Sequence, residues 1–153
     1  MLYFEDFSVG RVLHLGPLTV TRSEMIAFAR AFDPQGIHLS PAAAIERGFP
    51  DIIASGWYTA ALFMRMQCEG FLTRSSCIVS PGIDALRWLH PVYADDTLSA
   101  DVTVVSSRIS ISKPDRGFVL SHASITNAAG TEVLTMETTA LYGCRYPAPP
   151  GGP

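Results

Sequence analysis

The sequence predicts an α+β domain, an antiparallel sheet wrapped around one long buried helix. Residues Ala54 to Gly70 are apolar on nearly every face through Met64, the pattern of a helix inside a protein rather than on its surface. Everything after that helix reads as strands, from Ile83 to Tyr142, with apolar residues recurring at a period of two. Two of those strands are joined at Asn127-Ala-Ala-Gly130, a hairpin signal that makes them antiparallel neighbours. A buried helix followed by consecutive strands is an α+β arrangement.

Taken in order, Glu5-Asp-Phe-Ser-Val-Gly10 suggests an extended approach to a first strand over Val12 to Val20. Thr21-Arg-Ser-Glu24 opens a helix, with Thr21 as cap and Glu24, three residues on, as its capping-box partner. Met25, Phe28, Ala29 and Phe32 form its apolar stripe, and Asp33-Pro34 ends it. Ser40-Pro41 opens a second, short helix, with Pro in the first turn where its missing N–H costs nothing, and Gly48 and Pro50 close it. The long helix is expected to present Trp57, Ala60, Ala61, Met64, Cys68 and Phe71 on one face. Its length is about 22 Å, enough to cross a small domain.

The first strand after the helix is expected over Ile83 to Val92. From Leu98 the apolar residues fall on even positions (Leu98, Ala100, Val102, Val104), and from Ile109 on odd ones (Ile109, Ile111). That change of phase predicts a bulge or bend near Val105 to Arg108. Phe118 to Thr126 and Glu132 to Tyr142 form the hairpin. One domain over residues 1–146 is expected, followed by a Pro/Gly-rich tail over 147–153 that reads as disordered.

Composition narrows the class of partner. The 153 residues are 48% apolar and 16% charged, which suits one globular domain and leaves apolar surface for a subunit interface. A net charge of −3 with no basic run argues against nucleic acid or an anionic membrane surface. No apolar stretch reaches membrane-spanning length, and the acidic start Met1-Leu-Tyr-Phe-Glu-Asp is no signal peptide, so a cytoplasmic location is expected. Cys68, Cys77 and Cys144 are odd in number and show no CxxC pairing, so neither a disulfide framework nor structural zinc is expected. His14, His90 and His122 are scattered among strands and present no set of three metal ligands, so no metal is expected.

The segment Asp33-Pro-Gln-Gly-Ile-His38 carries the chemistry. A carboxylate and an imidazole five positions apart do not share a helix face, where neighbours are three or four apart. Pro34 and Gly36 instead make a shaped loop able to aim both side chains at one point. An acid/base pair so aimed is what adding or removing water across a double bond requires. Taken singly, Asp33 also reads as a turn-forming Asp and His38 as a histidine bonded to backbone. Ser55, before Gly56, reads as a helix cap rather than a nucleophile, since Ile53 stands where a nucleophile elbow would need Gly.

Four segments in order resemble the MaoC-like dehydratases, the (R)-specific enoyl-CoA hydratases of the hotdog fold. They are Tyr3-Phe-Glu-Asp-Phe-Ser-Val-Gly10, Phe32-Asp-Pro-Gln-Gly-Ile-His-Leu39, Ile52-Ile-Ala-Ser-Gly-Trp57, and Leu86-Arg-Trp-Leu-His-Pro-Val-Tyr-Ala-Asp-Asp-Thr-Leu98. Asp33 and His38 match the catalytic positions of the family pattern Asp-x-Asn-Pro-x-His, and Gly56 matches the Gly that opens the hotdog helix. Gln35 stands where Asn is usual, Gly36 where Pro is usual, and Ser55 where His commonly precedes the helix Gly.

What the resemblance implies is a hydro-lyase for 2-enoyl-CoA and 3-hydroxyacyl-CoA thioesters, with coenzyme A as part of the substrate and no other cofactor. Asp33 and His38 would hold one water and add it syn, with the assignment of acid and base left open because such a pair titrates as a unit. The Gly56 N–H would receive the developing charge on the thioester oxygen, a kind of contact worth roughly 3–4 kcal/mol in other enzymes. Ser55 and Trp57 are expected beside the substrate, although core packing is the plainer role for Trp57 and Tyr58. Arg87 and Arg108 are candidates for the nucleotide phosphates, with solvated surface residues as the default reading. The resemblance also implies a homodimer with active sites near its interface. The rival readings are a thioesterase of the same fold and a non-catalytic acyl-CoA-binding subunit.

Overall fold

Alternation along the third strand decides which side of the sheet is covered. Leu98, Ala100, Val102 and Val104 are buried and join Tyr58, Leu62, Phe63 and Met66 of the long helix in one apolar core. In the computed structural model, which describes residues 1–146, the strands are β1 (Val12–Thr19), β2 (Cys77–Trp88), β3 (Thr97–Ile109), β4 (Arg116–Asn127) and β5 (Glu132–Gly143). They form one sheet in the order β1-β3-β4-β5-β2, every pair antiparallel. The helices are α1 (Arg22–Phe32), α2 (Pro41–Glu46) and α3 (Gly56–Gly70). Among the described residues no helix is long and apolar enough to cross a membrane. The expected disorder of residues 147–153 lies outside the described residues.

Several expectations hold for the reasons given. The register between β3 and β4 shifts between Val104 and Ser106, where the hydrophobic phase changes. The β4–β5 turn is held by Asn127, whose side-chain oxygen accepts from the N–H groups of Ala129 and Thr131, and Gly130 supplies a φ of +80°. Ser40 caps α2 by accepting the Ala43 N–H, with Pro41 in its first turn.

Five details differ. The N-terminal approach is not extended: Phe4–Asp6 is a 3₁₀ turn, because the Asp6 carboxylate accepts the Tyr3 N–H at 2.8 Å. Thr21 does cap α1, accepting the Glu24 N–H, but the Glu24 carboxylate takes the hydroxyls of Thr21 and Tyr58. The α1 stripe buries Met25 and Ala29, while Phe32 is 74% exposed at the helix end, its ring against that of Phe28. In α3 the buried face is Tyr58, Thr59, Leu62, Phe63, Met66 and Gln67, whereas Trp57, Ala61 and Met64 of the expected face are exposed. A helix apolar all round has period but no phase, so only its tertiary neighbours select a face. Finally β2 starts at Cys77 and ends at Trp88, since Leu89 and His90 leave the ladder with both N–H groups on the Val133 carbonyl. Pro81 within β2 is tolerated because this is an edge strand.

Candidate active site

Asp33 sits at the C-terminal cap of α1, where its N–H donates to the Ala29 carbonyl at 2.9 Å and Pro34 prevents a further turn. Gly36–His38 then makes one 3₁₀ turn that brings His38 back toward Asp33. The Ile53 N–H donates to the Ile37 carbonyl and the Ala54 N–H to the Val92 carbonyl, so the chain entering α3 is tied both to this turn and to the segment after β2.

His38 is buried, with Nδ1 2.8 Å from the Ile53 carbonyl. A carbonyl only accepts, so Nδ1 carries the hydrogen. Nε2 is thereby left facing Asp33 Oδ2 at 3.3 Å, too close for a molecule to stand between them, so a bound molecule would meet both atoms from the cavity side. The Asp33 carboxylate also accepts the Ser55 hydroxyl at 2.7 Å on Oδ2 and the Gln35 amide at 2.7 Å on Oδ1. The Ser55 bond above all, then the Gln35 bond, holds the Asp33 carboxyl below its ordinary value; partial burial opposes this and the charge of His38 adds to it.

Ser55 is also the N-cap of α3, accepting the Trp57 N–H at 3.3 Å. Its carbonyl accepts both the N–H (3.1 Å) and the hydroxyl (3.4 Å) of Thr59. Two bonds on that carbonyl fix the plane of the Ser55–Gly56 peptide. The N–H of that peptide belongs to the first helical turn, whose donors have no partner within the helix and lie at the positive end of its dipole.

A cavity of about 400 Å³ opens at this point, with Asp33, His38, Gly56 and Trp57 on one side and Trp88, Leu89 and Val133 on the other. Asp33, His38, Gly56 and Trp57 are thus brought together as the sequence predicts. Ser55 is not: it has no exposed surface, and its hydroxyl is engaged with Asp33 and the Trp57 N–H, so it sits behind the carboxylate rather than against a substrate. Tyr58 turns into the core, where burial and the neighbouring Glu24 push its hydroxyl up to about 12. Arg108 lies over the Phe118 ring at 4.7 Å, in a row with Leu141, roughly 25 Å along β5 from Val133. Within one chain it lies far along the sheet from this cavity. Arg87 is exposed on β2 beside Trp88.

Two contributors do not follow from the residues, the Gln35 side chain as a donor to Asp33 and the Trp88 ring, and of the three scattered histidines it is His90, with Nδ1 2.8 Å from the Glu132 carbonyl, that lines the cavity with Asp33. Trp88 and His90 fall inside the Leu86–Leu98 motif, the only signal that would have marked them. No periodicity brings that segment to the start of α3. Among the described residues no group of three or more His, Cys, Asp or Glu is placed to hold a metal ion.

A five-stranded antiparallel sheet around a central helix, with this carboxylate and imidazole at the helix start, is a hotdog domain. The chain belongs to the MaoC-like family: residues 6–124 match the MaoC like domain. It is 30% identical over 104 residues to the protein YdeM of Bacillus subtilis (strain 168), covering 68% of this chain and 74% of that one. The MaoC-like dehydratase from Rhodospirillum rubrum has a crystal structure that superposes with a TM-score of 0.89 at 32% identity, covering 95% of this chain and 99% of that one. The monoamine oxidase regulatory protein from Archaeoglobus fulgius superposes with a TM-score of 0.85 at 29% identity, covering 95% and 96%.

Proposed function

We propose that this protein is a hydro-lyase that adds water reversibly, and syn, across the double bond of a 2-enoyl-CoA thioester. The observation that carries the reading is the contact of His38 Nε2 with Asp33 Oδ2 at 3.3 Å, on the wall of a cavity that also borders Gly56. Membership of the MaoC-like family, and likeness to a relative named as a dehydratase, support the same reaction.

In the hydration direction one water meets Asp33 and His38 from the cavity side. Its oxygen attacks C3 as one of the pair takes its proton, and the other delivers a proton to C2 on the same face. Electron density moves onto the thioester oxygen, where the Gly56 N–H and the N-terminal end of α3 receive it. His38 is steered by the Ile53 carbonyl and Asp33 by Ser55 and Gln35, so neither side chain must reorganise as charge moves. Coenzyme A enters as part of the substrate, and the reaction as written needs no other cofactor.

The same reading includes a homodimer. Ile78, Val79 and Ile83 on the edge strand β2, and Trp57 and Met64 on α3, are each about half exposed, an apolar surface that a second copy would cover by extending the sheet. Light scattering is expected to give twice the chain mass, and V79K/I83K to give the monomer.

Hydration of crotonyl-CoA, followed as loss of enoyl absorbance, tests the reaction. Folded D33N and H38A proteins that match the parent would refute it. Release of free thiol would mark a thioesterase instead, and ligand-dependent melting shifts with no turnover across a thioester panel would mark a binding subunit.

A further inference from the structure

Gly56 does not occupy the left-handed backbone region, so its conformation does not call for glycine. Its neighbour does. A Cβ at this position would lie 2.5 Å from Cε2 and 2.6 Å from Nε1 of Trp88, closer than atoms pack. Trp88 is 46% exposed, and two contacts hold its ring in place. Its indole N–H donates to the Gly56 carbonyl at 2.8 Å, and it meets the Trp57 ring edge-on at 5.2 Å between centroids. Trp88 is itself the last residue of β2, paired with the fully buried Leu134 of β5.

Glycine at the first position of a helix is the least restrained backbone unit available. Here it is restrained on both flanks: Thr59 holds the Ser55 carbonyl before it, and Trp88 holds the carbonyl of Gly56 itself. We propose that Trp88 is a positioning residue for the thioester oxygen: by filling the space over the Gly56 Cα and binding the Gly56 carbonyl, it stops the chain pivoting at Gly56, so that the Gly56 N–H keeps the direction that Thr59 gives its peptide. This rests on the reaction proposed above. Trp88 touches the donor's backbone and acts through it.

Two measurements test this. Trp88→Phe keeps an aromatic wall but removes the indole donor. A small misalignment of a transition-state donor should lower kcat about 10-fold while KM stays within about 3-fold. A W88F enzyme with parental kcat and KM overturns the proposal. The second measurement needs no activity. Gly56→Ala should lower Tm by about 5 °C or more in the parent and by far less in a W88A background, where the ring is gone. Equal losses in both backgrounds also overturn it. Should the parent hydrate no enoyl thioester, the reaction and the positioning role fall together, while the melting cycle still shows whether the ring holds Gly56.

Discussion

At its N-terminus α3 meets a carboxylate, an imidazole, an amide and the Thr59 hydroxyl around an open cavity, with the Ser55 hydroxyl behind the carboxylate, whereas at its C-terminus Phe71 packs against Phe7, and Phe7 against Tyr142 at 4.2 Å. At the first end hydrogen bonds aim side chains at a cavity; at the second, where Thr73 and Arg74 donate to the last helix carbonyls, the side chains beneath are a buried aromatic cluster. Substitutions of the reactive side chains at the first end should therefore cost more activity than stability, and those in the aromatic cluster at the second the reverse.

The largest effect is expected at the open end. D33N or H38A should lower kcat/KM for an enoyl thioester by roughly 10²–10⁴-fold, the range for losing a positioned acid or base, beside a smaller loss of stability than at the closed end, since each also gives up a hydrogen bond of the fold. Steady-state kinetics beside a thermal melt measures both. At the closed end, F7A should cost about 3–5 kcal/mol by leaving a cavity between Phe71 and Tyr142, read from urea unfolding. Its kcat below the melting transition should remain parental.

Ser55→Ala is intermediate, because Ser55 serves both the carboxylate and the helix start. Losing the cap bond should cost about 1 kcal/mol. Losing the hydroxyl removes the largest influence holding the Asp33 carboxyl down, so the acid limb of the pH–rate profile should move to higher pH. The sign for stability follows. Asp33 is depressed below its ordinary 3.8 in the fold, so its contribution is fully present above that pH and is lost as pH falls through the depressed value. S55A should make that loss smaller and complete it at a higher pH, because only the folded-state value moves back toward 3.8. The smallest effect is expected at Arg108: R108A should leave KM for a CoA thioester within about 2-fold, since exposed residues away from a site rarely matter.

The elements nearest one another in sequence were the most legible. The Ser40–Pro41 helix start, the bulge after Val104 and the Asn127–Gly130 turn depend on a few adjacent residues, and each stands where local chemistry puts it. The Asp33–His38 loop was readable for the same reason, as Pro34 and Gly36 lie between the two groups that matter. The N-terminal turn departs from an extended approach because one side-chain bond from Asp6 outweighs a weak extended preference. The covered face of α3 differs from the expected one because its sequence is apolar on both sides.

By itself, then, the sequence determined the order of elements, the two reactive side chains and their local spacing, all of which follow from interactions within a few residues. Only the tertiary structure decided which face of α3 is covered, that Ser55 stands behind Asp33, and that Trp88 closes over Gly56. Those contacts join residues 22 and 32 positions apart, across a loop and across two layers. Distances of that kind are set by how the sheet packs on the helix, which no local pattern encodes.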